Sequence, residues 1–271
     1  MIPLLYTMLV WIPRGRFACA VYRRLFFLFA RKEVRQLYIN IERIWGLPPH
    51  SSFAKSFAAQ VIDNQIGVLL DAVHPLSDFD MEGFEELQQN VNEVTSERGQ
   101  LCLAAHLGSW EFSGACTARV SPHGFHALGK PVRWLTPWIE YGRQQLSMAT
   151  LWTHQQAERK MLQVLKEGNF LGLVMDQKPK GRKGPLVQFF GIPTEFVAGP
   201  ATLAIRSKIG AVATFCLRIA PGRYRIVSRV MTRPGHGEAD VQALTQRFAS
   251  EIETWIRHYP EQWTWNYKRW K

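Results

Sequence analysis

The sequence predicts an α/β fold: a mixed sheet covered by helices on both faces, preceded by a helical membrane-associating segment. Three observations carry that prediction. Short, continuous apolar runs, 101–105 and 170–175 above all, have the length and uniformity of strands buried on both faces. Segments with apolar residues at helical spacing alternate with them. An N-terminal stretch interleaves aromatic and cationic residues. At 271 residues with 46% apolar content the chain can bury a large core. The expected organisation is a membrane-associating segment at 1–30 and a single α/β domain at 31–271.

Taken in order, residues 1–12 are apolar but stop at Pro13-Arg14-Gly15-Arg16. A second apolar run, 25–30, lies between Arg23-Arg24 and Arg31-Lys32. Neither reaches the ~18–20 residues that a spanning helix needs. No small-residue cleavage site follows, so no signal peptide is expected. Cations flanking Trp, Phe and Leu fit a helix lying in the plane of a membrane surface, or equally one covering the domain's own core. The pattern is helical from about 33 to 73, broken at Pro48-Pro49 and restarted at Ser51 or Ser52. Phe84, Leu87 and Val91 carry another helix. A strand at 101–105, a helix from Trp110, a short strand at 125–128 and a basic stretch at 130–134 follow. The helix predicted over 155–167 ends at Gly168, a good C-terminal stop. Then come the 170–175 strand, a helix opened by Gly199-Pro200 and strands at 211–217 and 224–230. Val241, Leu244, Phe248, Ile252, Trp255 and Ile256 mark a last amphipathic helix.

The balance of 33 Lys+Arg against 22 Asp+Glu leaves a formal charge of +11, which calls for a polyanionic partner. Ten Trp and sixteen Phe beside those cations favour an anionic membrane surface over nucleic acid. Cys19, Cys102, Cys116 and Cys216 form no C-x-x-C pair and read as buried thiols, not as a disulfide frame or zinc site. His123-x-x-His126 has no thiol or carboxylate at ligand spacing, so no metal is expected.

The chemistry concentrates in two stretches. In Leu101-Cys102-Leu103-Ala104-Ala105-His106-Leu107-Gly108-Ser109-Trp110-Glu111, a buried strand runs into a turn, and Ser109 is placed to cap the helix that follows. His106 and Glu111, five apart, can meet only if the chain turns between them, which Gly108 permits. A carboxylate in the first turn of a helix stays ionised. It could hold the imidazole in one tautomer and stabilise the imidazolium formed when His106 takes a proton. The ordinary alternative is a structural histidine near a helix-end carboxylate. The second stretch, Asp176-Gln177-Lys178-Pro179-Lys180-Gly181-Arg182-Lys183-Gly184, sets cations among glycines just past the 170–175 strand. It suits a phosphate cradle, with Asp176 orienting its cations; the ordinary alternative is a solvated charged loop. Sites in α/β sheets form outside the carboxyl ends of strands, where both stretches belong.

With these motifs on view, the sequence resembles the bacterial lipid A late acyltransferases of the lauroyl/myristoyl type, within the wider glycerolipid acyltransferases. His106-x4-Glu111 carries the resemblance, with Asp176-Gln177, Gly181-Arg182-Lys183-Gly184, Phe189-Phe190-Gly191, Gly199-Pro200-Ala201 and the ending from Pro260 to Lys271. The resemblance implies an α/β domain at the cytoplasmic face of a bacterial inner membrane. It also implies transfer of a fatty acyl chain from acyl carrier protein to a lipid hydroxyl. His106 matches the general base, Glu111 its partner and Asp176 the acidic residue of the later block. Lys130 falls where the family more often has Arg. It keeps the charge but not the bidentate fork.

These readings make His106 and Glu111 the catalytic pair, and Lys130, Arg133, Asp176, Gln177, Lys178, Arg182 and Lys183 the substrate-binding residues. The acceptor hydroxyl, once deprotonated, attacks a thioester carbonyl whose developing charge needs donors: N–H groups near Gly108, Lys130 or Arg133. No cofactor is expected beyond the acyl-thioester co-substrate, and no Ser sits in a G-x-S-x-G elbow. The expected partners are an anionic membrane surface, acyl carrier protein and the lipid acceptor, with a lipid A precursor implied. The competing functions are a glycerol-phosphate, lysophospholipid or ornithine-lipid acyltransferase, and a basic membrane-binding protein without chemistry.

Overall fold

The structure, a computed structural model, describes Tyr6, residues 8–9, 11–13, 15–49, 51–153, 156–179, 183–235 and 240–270. Its strands are β1 (Asp80–Glu82), β2 (Gln100–Ala104), β3 (Phe125–Gly129), β4 (Ala149–Trp152), β5 (Phe170–Val174), β6 (Leu186–Phe189), β7 (Ile192–Glu195), β8 (Gly210–Ala220) and β9 (Arg223–Thr232). Its helices are α1 (Arg16–Phe29), α2 (Arg31–Trp45), α3 (Ser52–Asp71), α4 (Phe84–Val94), α5 (Trp110–Val120), α6 (Thr136–Gln145), α7 (Ala157–Lys166), α8 (Gly199–Ser207) and α9 (Val241–His258).

Among the described residues, seven strands form one sheet in the order β1-β9-β8-β2-β5-β3-β4. β8, β2, β5, β3 and β4 run parallel, while β9 pairs antiparallel with β8 and parallel with β1. The mixed sheet with helices packed against it is the architecture that the apolar runs predict. Every residue of β2 is buried. Alternation along it puts Leu101 and Leu103 into the core on one face and Cys102 into the core on the other. Among the described residues, side-chain oxygens cap three helices: Ser51 accepts from the Ala54 N–H, Ser109 from Phe112, and Asp240 from Gln242 and Ala243.

α6 and the β6–β7 hairpin carry no clear signal in the sequence, for different reasons. α6 buries none of its residues, so it has no apolar period to read. The β6–β7 hairpin contains Pro193 and turns at Phe190 and Gly191, both with positive φ, as a two-residue hairpin turn demands. One face of the N-terminal helix takes the core-covering role. In α1, Phe26 and Phe27 pack on the core and Arg23 pairs with Asp63 of α3. Phe17, Val21, Leu25 and Leu28, three or four residues apart, form an exposed stripe on its outer face. Among the described residues, no helix is long and apolar enough to cross a membrane. Most of 1–12 lies outside the described residues.

The aromatic-rich C-terminal segment is not a surface patch. Trp263, Trp265 and Trp270 are buried among Phe189, Phe190, Trp45 and Phe57. Asn40 of α2 fastens the segment by donating to the carbonyls of Trp265 (2.6 Å) and Tyr267 (2.8 Å). Trp263 in turn makes a β-bridge with Leu107, and Gly108 bridges to Cys216 of β8. The turn after β2 is therefore clasped between β8 and the C-terminal segment.

Gly108 sits at φ +58°, and a Cβ there would lie 2.2 Å from the Cys216 carbonyl oxygen. Gly191 has φ +72°, and a Cβ there would meet nothing within 4 Å. Gly191→Ala should therefore cost only the conformational strain, about 1 kcal/mol, whereas Gly108→Ala should cost clearly more, because backbone must move as well. Urea unfolding midpoints check this; equal midpoints for the two variants would rule out the tight turn.

Candidate active site

The clasp decides where His106 points. Its carbonyl accepts from the Thr264 N–H (3.1 Å), Gly108 N–H donates to Gln262 O (3.0 Å), and Ser109 N–H donates to Cys216 O (2.7 Å). β5 is the parallel neighbour of β2, in register from Gln100↔Phe170 to Ala104↔Val174, and Met175 N–H donates to Ala104 O. Parallel neighbours lie about 4.8 Å apart, so the residues leaving their ends emerge side by side. His106 Nδ1 is 2.8 Å from Asp176 Oδ1, and Trp263 Nε1 donates to Asp176 Oδ2 at 2.7 Å.

Asp176 is 1% exposed, and both its oxygens receive a donor. An ionised carboxylate only accepts, so Nδ1 of the neutral imidazole carries the proton and Nε2 keeps its lone pair. The side-chain amide nitrogen of Gln177 stands 3.4 Å from that Nε2. Burial pulls the His106 pKa down, but the charge and hydrogen bond of Asp176, with the charge of Glu111 added, outweigh it and leave the group raised. Burial pushes Asp176 upward, yet the charge and hydrogen bond of His106 and the Trp263 indole N–H hold it below the ordinary carboxylate value. The arrangement is a base with one free nitrogen, oriented by a buried anion.

Two expectations are corrected and one is narrowed. Glu111 does not hold His106: it takes a bidentate ion pair from Arg143, Nε to Oε2 and Nη2 to Oε1, both at 2.9 Å. The first turn of α5 aims Glu111 toward α6, not toward the strand exit, so its effect on His106 is through charge alone. The oxygens of Asp176 take donors from His106 and Trp263 and, among the described residues, from no cation of the loop. The N–H groups of Gly108 and Ser109 are occupied by Gln262 and Cys216, so they are not free to stabilise an oxyanion.

The cations divide by position. Lys130 and Arg133 are exposed in the loop leaving β3, at the same end of the sheet as His106 but two strands away. Lys178 is half-buried just past Asp176, Lys183 is exposed, and Arg182 lies outside the described residues, as does Lys180. Sequence reasoning missed Trp263 and Arg143. Nothing local marks either one, since each acquires its role from a partner more than 30 positions away. Beside Glu111 and Arg143, a narrow apolar cavity of about 30 Å3 opens between α5 and the sheet, with Trp110, Gly114, Phe125 and Met148 among its walls. Among the described residues, no group of three or more His, Cys, Asp or Glu could hold a metal ion.

The chain is similar to known acyltransferases. The phosphatidylinositol mannoside acyltransferase of Mycolicibacterium smegmatis is 27% identical over 252 residues, which cover 84% of this chain and 76% of that protein. A protein of the same description from Mycobacterium tuberculosis is 29% identical over 173 residues, 61% of this chain and 52% of its own length, so the match spans about half of that relative. Residues 16–271 match the family model described as bacterial lipid A biosynthesis acyltransferase. With nearly the whole chain covered, the protein belongs to the bacterial lipid A biosynthesis acyltransferase family and is an acyltransferase.

Proposed function

We propose that the protein moves a fatty acyl chain from an acyl thioester, with acyl carrier protein as donor, to a hydroxyl of a glycosylated membrane lipid, using His106 as general base. One observation carries the proposal: His106 Nδ1 is held at 2.8 Å by a buried carboxylate, which leaves Nε2 as the free base. Nε2 takes the proton of the acceptor hydroxyl as its oxygen attacks the thioester carbonyl carbon. Asp176 stabilises the imidazolium. The tetrahedral intermediate collapses with cleavage of the C–S bond, and the leaving thiolate recovers the proton from His106. The 3.4 Å contact of Gln177 with Nε2 is long enough to yield to a substrate, after which its amide N–H is a donor for the developing oxyanion. The leading N–H groups of α5, which lack intrahelical acceptors, add their dipole. The apolar cavity behind Trp110 gives the acyl chain its first contacts.

Two acceptors fit this class. The family's description supports a lipid A precursor, and the relatives' names support a phosphatidylinositol mannoside. Both acceptors are membrane lipids, so the site must meet a membrane. Val132 and Trp134 are exposed beside Lys130 and Arg133, in the loop at the active end of the sheet. Together with the outer stripe of α1, they form an apolar and cationic contact for an anionic bilayer, the cytoplasmic face of a bacterial inner membrane.

His106→Ala should lower transfer by ~10²–10⁴-fold. It should also lower the urea midpoint, because Asp176 loses one of its two donors, so transfer is compared under conditions where the far-UV spectrum shows both proteins folded. Mass spectrometry of products formed from acyl carrier protein thioester with each acceptor reads both the loss and the acceptor. Wild-type rates in the variant would reject the base assignment.

The pH dependence has a definite sign. Because the His106 pKa is raised, activity should fall on acidification from above the ordinary imidazole value near 6.5, as the base is protonated. Asp176→Asn removes the main upward influence and leaves the burial, so His106 in that variant should titrate below 6.5. NMR titration of the imidazole checks this, and a midpoint unmoved by the substitution would contradict the pairing.

Membrane contact should show in co-sedimentation with vesicles containing anionic lipid. Phe17→Asp/Trp134→Asp should bind markedly less than the wild type, and wild-type binding should weaken with salt. Equal binding would place the contact elsewhere.

A further inference from the structure

A second cluster of cations lies apart from the exposed loops. A cavity of about 280 Å3 opens between the β6–β7 hairpin, α2 and the C-terminal segment. Its walls include Arg43, Lys178, Thr194, Glu195, Arg269 and Trp270. That volume is just under the ~300 Å3 at which small-molecule sites begin, ample for a phosphate and its flanking ester groups.

Arg269 is the unusual member. It is 2% exposed, and its guanidinium lies 4.4 Å from the ring centroid of Phe196. One nitrogen, Nη2, donates to the Glu195 carbonyl at 2.6 Å, but its buried Nε has no hydrogen-bond partner. Among the described residues, no carboxylate lies within 4 Å of Arg269, Arg43 or Lys178. Burial brings the guanidinium pKa down to about 10, against the attraction of Asp176, Tyr267 and Glu195. A charge taken out of water needs a counter-ion and a full set of acceptors to be held without penalty. The cavity walls carry three cations and one carboxylate, that of Glu195, which pairs with none of them, while the more distant Asp176 is already held by His106 and Trp263. Three positive groups with an unfilled guanidinium donor suit an oxyanion with several acceptors.

The cavity also adjoins the base. Lys178 follows Asp176 by two residues, and its backbone N–H donates to Tyr267 Oη at 3.3 Å, which ties the loop to the segment bearing Arg269.

We propose that this cavity is a phosphate subsite, in which Arg269, Lys178 and Arg43 hold a phosphate group carried by one of the two substrates. The phosphate is either that of the lipid acceptor's headgroup or that of the phosphopantetheine arm of the donor. Arg269, fixed by its stacking and by Glu195, supplies the oriented fork. Lys178 and Arg43, nearer solvent, close on the anion. The assignment rests on the acyl-transfer reading for its choice of ligand, while the anion binding itself does not depend on catalysis.

Two measurements test it. In thermal unfolding at constant ionic strength, inorganic phosphate should raise the wild-type Tm saturably. Arg43→Ala/Lys178→Ala should abolish that rise, whereas Lys55→Ala, an exposed charge on α3, should keep it. In steady-state acyl transfer, the double variant should raise KM for one substrate at least fivefold. A change confined to the acceptor assigns the headgroup phosphate, and one confined to the donor assigns the phosphopantetheine phosphate. Arg269→Lys, which keeps a charge but loses the fork, should move the same KM in the same direction. The proposal is overturned if phosphate leaves the wild-type Tm unsaturably changed or unchanged, or if both KM values in the double variant stay within twofold of wild type. If no donor and acceptor give turnover, the acyl-transfer reading fails, and the thermal measurement alone decides whether the cavity binds phosphate.

Discussion

A carboxylate as buried as Asp176 must have donors on both oxygens, and much of the molecule is arranged to supply them. One donor is an imidazole at the exit of β2, and the other is an indole near the C-terminus. Bringing the two together requires β2 and β5 to be parallel neighbours in matched register. It also requires the C-terminal segment to fold back over the turn that follows β2. Removing one partner would leave an uncompensated buried charge, a larger penalty than the net worth of the bonds themselves. One constraint therefore does two things: the contacts that make Asp176 tolerable in the interior also hold His106 in the tautomer with its proton on Nδ1.

The clasp around Gly108 does the positioning. Three backbone hydrogen bonds, to Gln262, Thr264 and Cys216, fix the turn between a central strand and a segment more than 150 residues away. Asn40 of α2 and the buried aromatic cluster of Trp263, Trp265 and Trp270 anchor that segment in turn. The tryptophans that composition assigns to a membrane interface are thus split. Trp134 and Trp11 face outward, whereas Trp263, Trp265 and Trp270 of the C-terminus are internal scaffolding beside His106.

Glu111 shows how spacing and geometry part company. Its place in the first turn of α5 suits a negative charge, and that charge still reaches His106. Its hydrogen bonds, however, go to a planar guanidinium that satisfies both oxygens at once, a geometry that one imidazole nitrogen cannot match. The ion pair joins α5 to α6, the helix with no buried face of its own. Glu111 acts on the site as a background charge and as a fastener of its outer wall.

Local pattern was enough for the strands buried on both faces, the capped helices, the Gly108 turn and the placing of His106 and Asp176 at strand exits. Each of these depends on residues adjacent in sequence: an apolar run, a hydroxyl three residues before the N–H it caps, a residue type that tolerates positive φ. Partnership was different. That His106 meets Asp176 and not Glu111, that Trp263 completes the pair, and that Arg269 and Arg43 share a cavity with Lys178 are outcomes of strand order and of where the C-terminus returns. Hydrogen bonds and ion pairs act over about 3–4 Å regardless of sequence separation, so residues 70 or 87 positions apart become partners only when the fold brings them there. The sequence by itself determined which groups can do acid–base and anion chemistry. The tertiary structure alone decided which of them touch.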